Sequence, residues 1–276
     1  MSEEYLKEVV LPSRGLFYDG QIPHGVVTVE PMGTREEKLF ASAKAGASRL
    51  VDKIFNSCVH SPVPHEKLIL GDRLFLLLQL RVVSYGEMYS YPFRCSDCGA
   101  KVYVEVNLDE IPINYADESG EYPFRVELPI KKDVLELRLL TGKDEENVSR
   151  YGKSLTSKAK GPGGNSAARG AEHVFRLARR VSTINGEIPT IKEAMVYMEA
   201  LKGMDTIAVR DAIAEYNVGP DMNLEPECSS CGYANGPFVL PFDVEFFRPR
   251  RRSPKAPDYL RAAEAFDDER PDVSGR

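Results

Sequence analysis

With 276 residues, 42% of them hydrophobic, the chain can furnish a core for one large domain or two small ones. Its 36 basic and 42 acidic residues give a net charge of −6, which argues against wholesale coating of a nucleic acid but not against a local basic patch. The longest apolar run, Leu74–Leu78, is far short of a membrane span, and the polar, acidic stretch Met1–Val9 does not read as a signal peptide.

In chain order, Leu11-Pro12-Ser13-Arg14-Gly15-Leu16-Phe17-Tyr18 begins an extended segment punctuated by Gly20 and Pro23, and Val26, Val27 and Val29 follow as a strand-like run. Residues 1–30 are therefore expected to form an extended N-terminal arm. Thr34-Arg35-Glu36-Glu37 has the spacing of a capping box and predicts a helix from about residue 35. Leu50, Val51, Ile54 and Phe55 recur at helical spacing up to Cys58, read as a small buried hydrophobe. After the break at Ser61-Pro62-Val63-Pro64, an apolar helix is expected over 71–82, with Asp72 capping it or opposing its dipole. Residues 31–110 are read as a helical region that closes with Cys95-Ser96-Asp97-Cys98-Gly99, flanked by Met88–Arg94 and the alternating Val102, Val104, Val106 and Leu108.

Residues 111–220 read as an inserted α+β region. Pro123–Leu128 and Val134–Leu139 suggest a hairpin, and Thr141-Gly142-Lys143-Asp144-Glu145-Glu146 suits the first turn of a helix. Ser157–Ser166 is glycine-rich and loop-like, without the lysine and hydroxyl ending of a phosphate cradle. A basic helix over Glu172–Val181 carries Arg176, Arg179 and Arg180 outward, and Asn185-Gly186 marks a tight turn. Thr190-Ile191-Lys192-Glu193 repeats the capping-box spacing, and Asp205 is read as the cap of a further helix. Residues 221–249 then hold Cys228-Ser229-Ser230-Cys231-Gly232 and the aromatic, β-rich Phe238–Phe247. The remaining residues, 250–276, form a flexible or partner-docking tail that begins with Arg250, Arg251, Arg252 and Lys255.

The two Cys-x-x-Cys-Gly stretches use four of the five cysteines. A tight turn lets two thiols point at one ion, so each stretch supplies half of a tetrahedral site. Cys95, Cys98, Cys228 and Cys231 together predict one structural Zn2+ per chain, since four thiolates close the coordination shell and leave no position for substrate. Two independent redox pairs or disulfides are the alternative, and a thioredoxin-like pair would sit at the head of a helix after a buried strand in a βαβ unit. Strand, knuckle and strand make the expected fold α+β, with short antiparallel strands and a split zinc ribbon. The four histidines, His24, His60, His65 and His173, show no triad or metal-ligand spacing, so no enzyme is expected.

Taken in order, Leu11–Tyr18, Pro31-Met32-Gly33-Thr34-Arg35-Glu36-Glu37, Gly71-Asp72-Arg73, the two knuckles and Phe246-Phe247-Arg248-Pro249 give the chain a resemblance to the T4-type phage baseplate protein family, over about residues 9–249. The resemblance implies a virion structural component of a contractile tail, hub or hub-proximal, made in the host cytoplasm and located in the tail baseplate. Its implied partners are other baseplate or tail subunits in a symmetric assembly, without nucleic acid and without membrane insertion. Two alternatives stay beside it: an assembly chaperone absent from the mature virion, and a zinc-ribbon nucleic-acid-binding protein using Arg248–Lys255 and the arginine helix near Arg176–Arg180 on phosphates.

Overall fold

The computed structural model describes residues 6–42, 47–157, 164–241 and 244–247. The architecture is α+β, with helices among short antiparallel strands. The first part of the chain runs β1 (Lys7–Val10), β2 (Val26–Val29), α1 (Thr34–Ser42), α2 (Ala47–Cys58), β3 (Val59–His60), α3 (Leu70–Tyr85), β4 (Met88–Arg94) and β5 (Lys101–Asn107). The second runs β6 (Ile113–Asn114), β7 (Phe124–Glu127), β8 (Val134–Leu137), α4 (Gly142–Thr156), α5 (Gly164–Ala178), β9 (Val181–Ile184), α6 (Ile191–Glu199), α7 (Met204–Glu215), β10 (Gly219–Pro220), β11 (Asn223–Leu224) and β12 (Phe238–Val239). Described residues of 1–84 and 112–221 form one compact unit, and those of 85–111 and 222–276 form another. The helices of residues 31–84 thus belong with the interval between the knuckles, and the knuckles form a unit of their own.

In the larger unit, β1, β2 and β3 make an antiparallel sheet that turns Val9, Val27, Val29 and Val59 inward. The segment expected to be extended, Leu11–Tyr18, is instead a chain of tight turns, with Arg14 N–H bonded to Leu11 O, Leu16 to Ser13 and Tyr18 to Gly15. Gly15 has a φ of 82°, and a Cβ there would stand 2.1 Å from the Ile22 carbonyl oxygen, so only glycine closes this turn. What holds the turns down is Asp72. Its carboxylate accepts the Ser13 N–H at 2.9 Å and the Tyr18 hydroxyl at 2.5 Å, and the same hydroxyl accepts the Ile69 N–H at 3.1 Å. Asp72 is therefore no helix cap. It is a buried anchor for residues some sixty positions upstream, while its neighbour Arg73 pairs with Asp52 at 2.8 Å. Gly71 completes the motif, because a Cβ there would meet the Val218 carbonyl oxygen at 1.7 Å.

Helix α1 also starts differently from the capping-box expectation. Glu36, not Glu37, reaches back, and it accepts the Gly33 N–H at 3.0 Å while Thr34 already lies in the helix. The second sheet, β7, β8 and β9, carries Phe124, Val126, Leu128, Leu135 and Leu137 into a core shared with Met198 and Val209 of α6 and α7. Local signals worked well here. Thr190 and Glu193 form a reciprocal box on α6, Thr141 and Asp144 form one on α4, and Asn185 and Gly186 turn with φ of 52° and 84°. Asp205 does not cap α7. It accepts the N–H groups of Ile130 and Lys131, at the turn between β7 and β8. The basic helix ends at Ala178, and Val181 opens β9. Cys58 is buried, and its thiol is pushed up to about 12 by burial and by Glu36 and Glu30.

The smaller unit is built on the β4–β5 hairpin, paired from Met88↔Asn107 to Arg94↔Lys101. Val102, Val106 and Leu108 are buried, and Tyr91 stacks on Phe238 while Tyr89 packs on Phe246. Of the stretch expected to be β-rich, Phe238–Val239 pairs with β11 and Val244–Phe247 is a short 3-10 turn. Lys158–Gly163 of the glycine-rich loop and everything from Arg248, including the tail, lie outside the described residues. Among the described residues, no helix is long and apolar enough to cross a membrane.

Candidate metal centre

Each knuckle is shaped by its own backbone. In the first, at the turn joining β4 to β5, Gly99 N–H reaches Cys95 O at 3.1 Å and Cys95 N–H reaches Ala100 O at 2.9 Å. In the second, Gly232 N–H reaches Cys228 O at 2.8 Å and Cys228 N–H reaches Tyr233 O at 2.9 Å. Gly99 and Gly232 take φ of 71° and 73°, the left-handed conformation the reversal needs. Two stretches of similar sequence thus fold into two turns of the same hydrogen-bond pattern.

The turns face each other, and all four sulfurs lie within 4.8 Å of one another. Across the two knuckles, Cys95 to Cys231 and Cys98 to Cys228 are each 3.8 Å apart. A tetrahedral ion bound by thiolates at about 2.3 Å needs sulfurs about 3.8 Å apart, whereas a disulfide needs about 2 Å. The four cysteines are free in this arrangement, so neither knuckle holds a disulfide. Cys95 and Cys228 are buried against Val102, with Phe93 and Ala100 beside them, and Cys98 and Cys231 are exposed. An all-sulfur donor set with a dry side and a wet side can hold one thiolate-binding metal ion, and it offers no fifth donor to a substrate.

The thiols differ in acidity. Burial opposes ionisation of Cys95, but the N–H groups of Cys98 and Asp97 and the thiols of Cys98 and Cys228 stabilise its thiolate and bring it down to about 6. Cys231 has the help of one amide, from Tyr233, yet local desolvation and hydrogen bonding to the other three sulfurs hold its proton, and it is pushed up to about 12. The first proton leaves readily and the last leaves against accumulated charge. A bound dication would relieve that charge, because thiolate ligands and metal binding are linked through the protons released.

Sequence spacing missed Asn235. This residue is buried, and its Oδ1 accepts both the N–H and the hydroxyl of Ser96 at 2.9 Å. Its amide nitrogen donates to Tyr233 O at 3.1 Å and Pro226 O at 3.3 Å, and its backbone N–H donates to Pro226 O at 3.0 Å. One side chain therefore ties the tip of the first knuckle to the flanks of the second without touching a sulfur. No motif marks it, since the nearest cysteine is Cys231 and Asn235-Gly236 reads locally as an ordinary turn.

The match to known proteins runs through both units. Residues 14–248 fit a family model described as T4 bacteriophage base plate protein. No curated protein and no solved structure matches the chain. The matched stretch takes in the Asp72-anchored turns at one end and the second knuckle at the other, with both halves of the candidate metal centre inside it, and on that coverage the chain belongs to the T4 bacteriophage base plate protein family.

Proposed function

We propose that the protein is a structural component of a contractile-tail phage baseplate, placed at or next to the hub, in which one Zn2+ on Cys95, Cys98, Cys228 and Cys231 staples two distant chain segments. The observation that carries the baseplate role is the family match over residues 14–248. The zinc supports it on physical grounds. A closed four-thiolate site has no open position for catalysis, and it adds folding free energy by joining segments far apart in sequence. A static scaffold needs that rigidity. Zinc is preferred over iron because four thiolates at tetrahedral spacing are the usual structural zinc set.

Purified tails from a phage carrying this gene test the reading. The chain should be present at constant copy number in mature baseplates, labelled near the tail axis by antibody and electron microscopy, with one zinc per chain by elemental analysis. Presence in assembly intermediates and loss from mature tails would turn the role into that of an assembly chaperone. A peripheral label would overturn the hub position, and iron or no metal would overturn the zinc.

A further inference from the structure

Where the end of β8, the start of α4 and the end of α5 come together, arginines and acids interlock. Arg138 holds Asp144 through two bonds, 2.6 and 2.9 Å long, and Arg179 holds the same carboxylate through its Nε at 2.9 Å and through its Nη2. Arg176 pairs with Glu145 and sits 3.7 Å from Glu172. Arg180 differs from all of these. Its backbone is engaged, with its carbonyl accepting the Arg138 N–H at 2.8 Å, but its guanidinium makes no ion pair or side-chain hydrogen bond among the described residues.

A half-buried guanidinium with no acceptor among the described residues of its own chain is open to one from outside. It carries five N–H donors, none of them met by a protein oxygen among the described residues, and its nitrogens are not sealed from solvent. Burial and then the like charges of Arg176 and Arg138 bring its pKa down to about 10. The neighbouring acids are already committed to other arginines.

We propose that Arg180 is a docking point for one carboxylate, an Asp or Glu side chain or a C-terminus, presented by a neighbouring protein subunit. This rests on the reading of the chain as one subunit of a larger assembly. Charge selects the occupant. The arginines of this cluster are Arg138, Arg176, Arg179 and Arg180, facing Asp144, Glu145 and Glu172, so the surplus is a single positive charge. One carboxylate neutralises it, and the planar fork of arginine fits a carboxylate through two parallel bonds. A nucleic acid would need a run of uncompensated cations, and the chain as a whole carries −6.

Four variants test this: Arg180→Gln, Arg180→Glu, Arg180→Lys, and the surface control Arg150→Glu, whose arginine is 66% exposed. In the isolated chain Arg180→Gln should melt at the wild-type temperature, because no partner within the chain is lost. A clear drop would make Arg180 a structural residue and overturn the proposal. Produced in place of wild type during phage growth, Arg180→Glu should enter baseplates about tenfold less or worse, as expected for losing a charge-assisted bond and adding a repulsion. Arg150→Glu should enter normally. In baseplates built with Arg180→Lys, carbodiimide should join the new amine to an acid of another subunit, identified by mass spectrometry. Equal incorporation of Arg180→Glu, a crosslink to residues 250–276 of the same chain, or DNA retention that Arg180→Gln abolishes would each overturn it. Wild-type chain absent from baseplates would overturn the parent reading and this inference together, while wild type present with Arg180→Glu equally abundant overturns this inference alone.

Discussion

Asn235 Oδ1 accepts two hydrogen bonds from Ser96, one from its backbone N–H and one from its hydroxyl, each 2.9 Å long, across 139 positions of sequence. The pair makes one knuckle's position depend on the other's through protein atoms as well as through any shared ion. Asn235→Ala should weaken metal binding about 10- to 100-fold, the usual effect of losing a support behind the ligands. Competition with a chromophoric chelator measures it. Asn235→Gln, a residue with the same amide on a longer stem, should recover only part of the loss. Wild-type affinity in Asn235→Ala would show that the knuckles are held without this clamp.

Metal content separates a shared site from two independent pairs. Elemental analysis should find one zinc per chain in wild type and in Cys58→Ala, whose thiol lies outside the sulfur cluster, and close to none in Cys228→Ala or Cys95→Ala. Loss from the single substitutions should also lower thermal stability, because metal binding is part of the folding free energy. Half-retained metal after removal of one pair would speak for separate sites.

Asp72 gives the larger unit a pH dependence of unusual sign. Burial raises its pKa above the ordinary 3.8, and the bonds from Ser13 and Tyr18 offset only part of that. The folded state therefore holds the proton more tightly than the unfolded one. Its contribution to stability is complete below 3.8 and is lost as pH rises through the raised value. Against pH, Asp72→Asn should gain on wild type from acid toward neutrality in urea unfolding. Parallel profiles would remove Asp72 from the account. Tyr18→Phe should cost about 1–3 kcal/mol, since it strands the buried carboxylate and the Ile69 N–H.

Asp144 has the opposite sign. It is buried, and the bonds from Arg138, Thr141 and Arg179 outweigh burial and hold its carboxyl well below the ordinary 3.8. Its contribution is present above 3.8 and is lost as pH falls toward its folded value. Asp144→Asn should cost about 2–4 kcal/mol at neutral pH, because two part-buried arginines lose their counter-charge. The deficit should shrink below pH 3.8, and a deficit constant down to acid would show that packing, not charge, is what the substitution disturbs.

What the sequence by itself determined is local. The two Cys-x-x-Cys-Gly turns, the Thr190 to Glu193 box and the Asn185-Gly186 turn were legible because a few neighbouring torsions and short side-chain reaches produce them, and those depend on spacing alone. The same reasoning failed for Asp72 and Asp205 as helix caps and for Leu11–Tyr18 as an extended segment. An aspartate near a helix start satisfies the local rule for a cap, yet here each carboxylate is taken by backbone N–H groups from far along the chain. Only the tertiary structure decided that the sulfurs of the two knuckles come together, that Asn235 clamps the knuckles, and that Arg180 is left over once every nearby acid has a partner. The physical reason is common to all three. A buried polar group takes whichever partner the fold brings within about 3 Å, and that choice is made by chain reversals tens of residues long, which leave no periodic trace in the sequence.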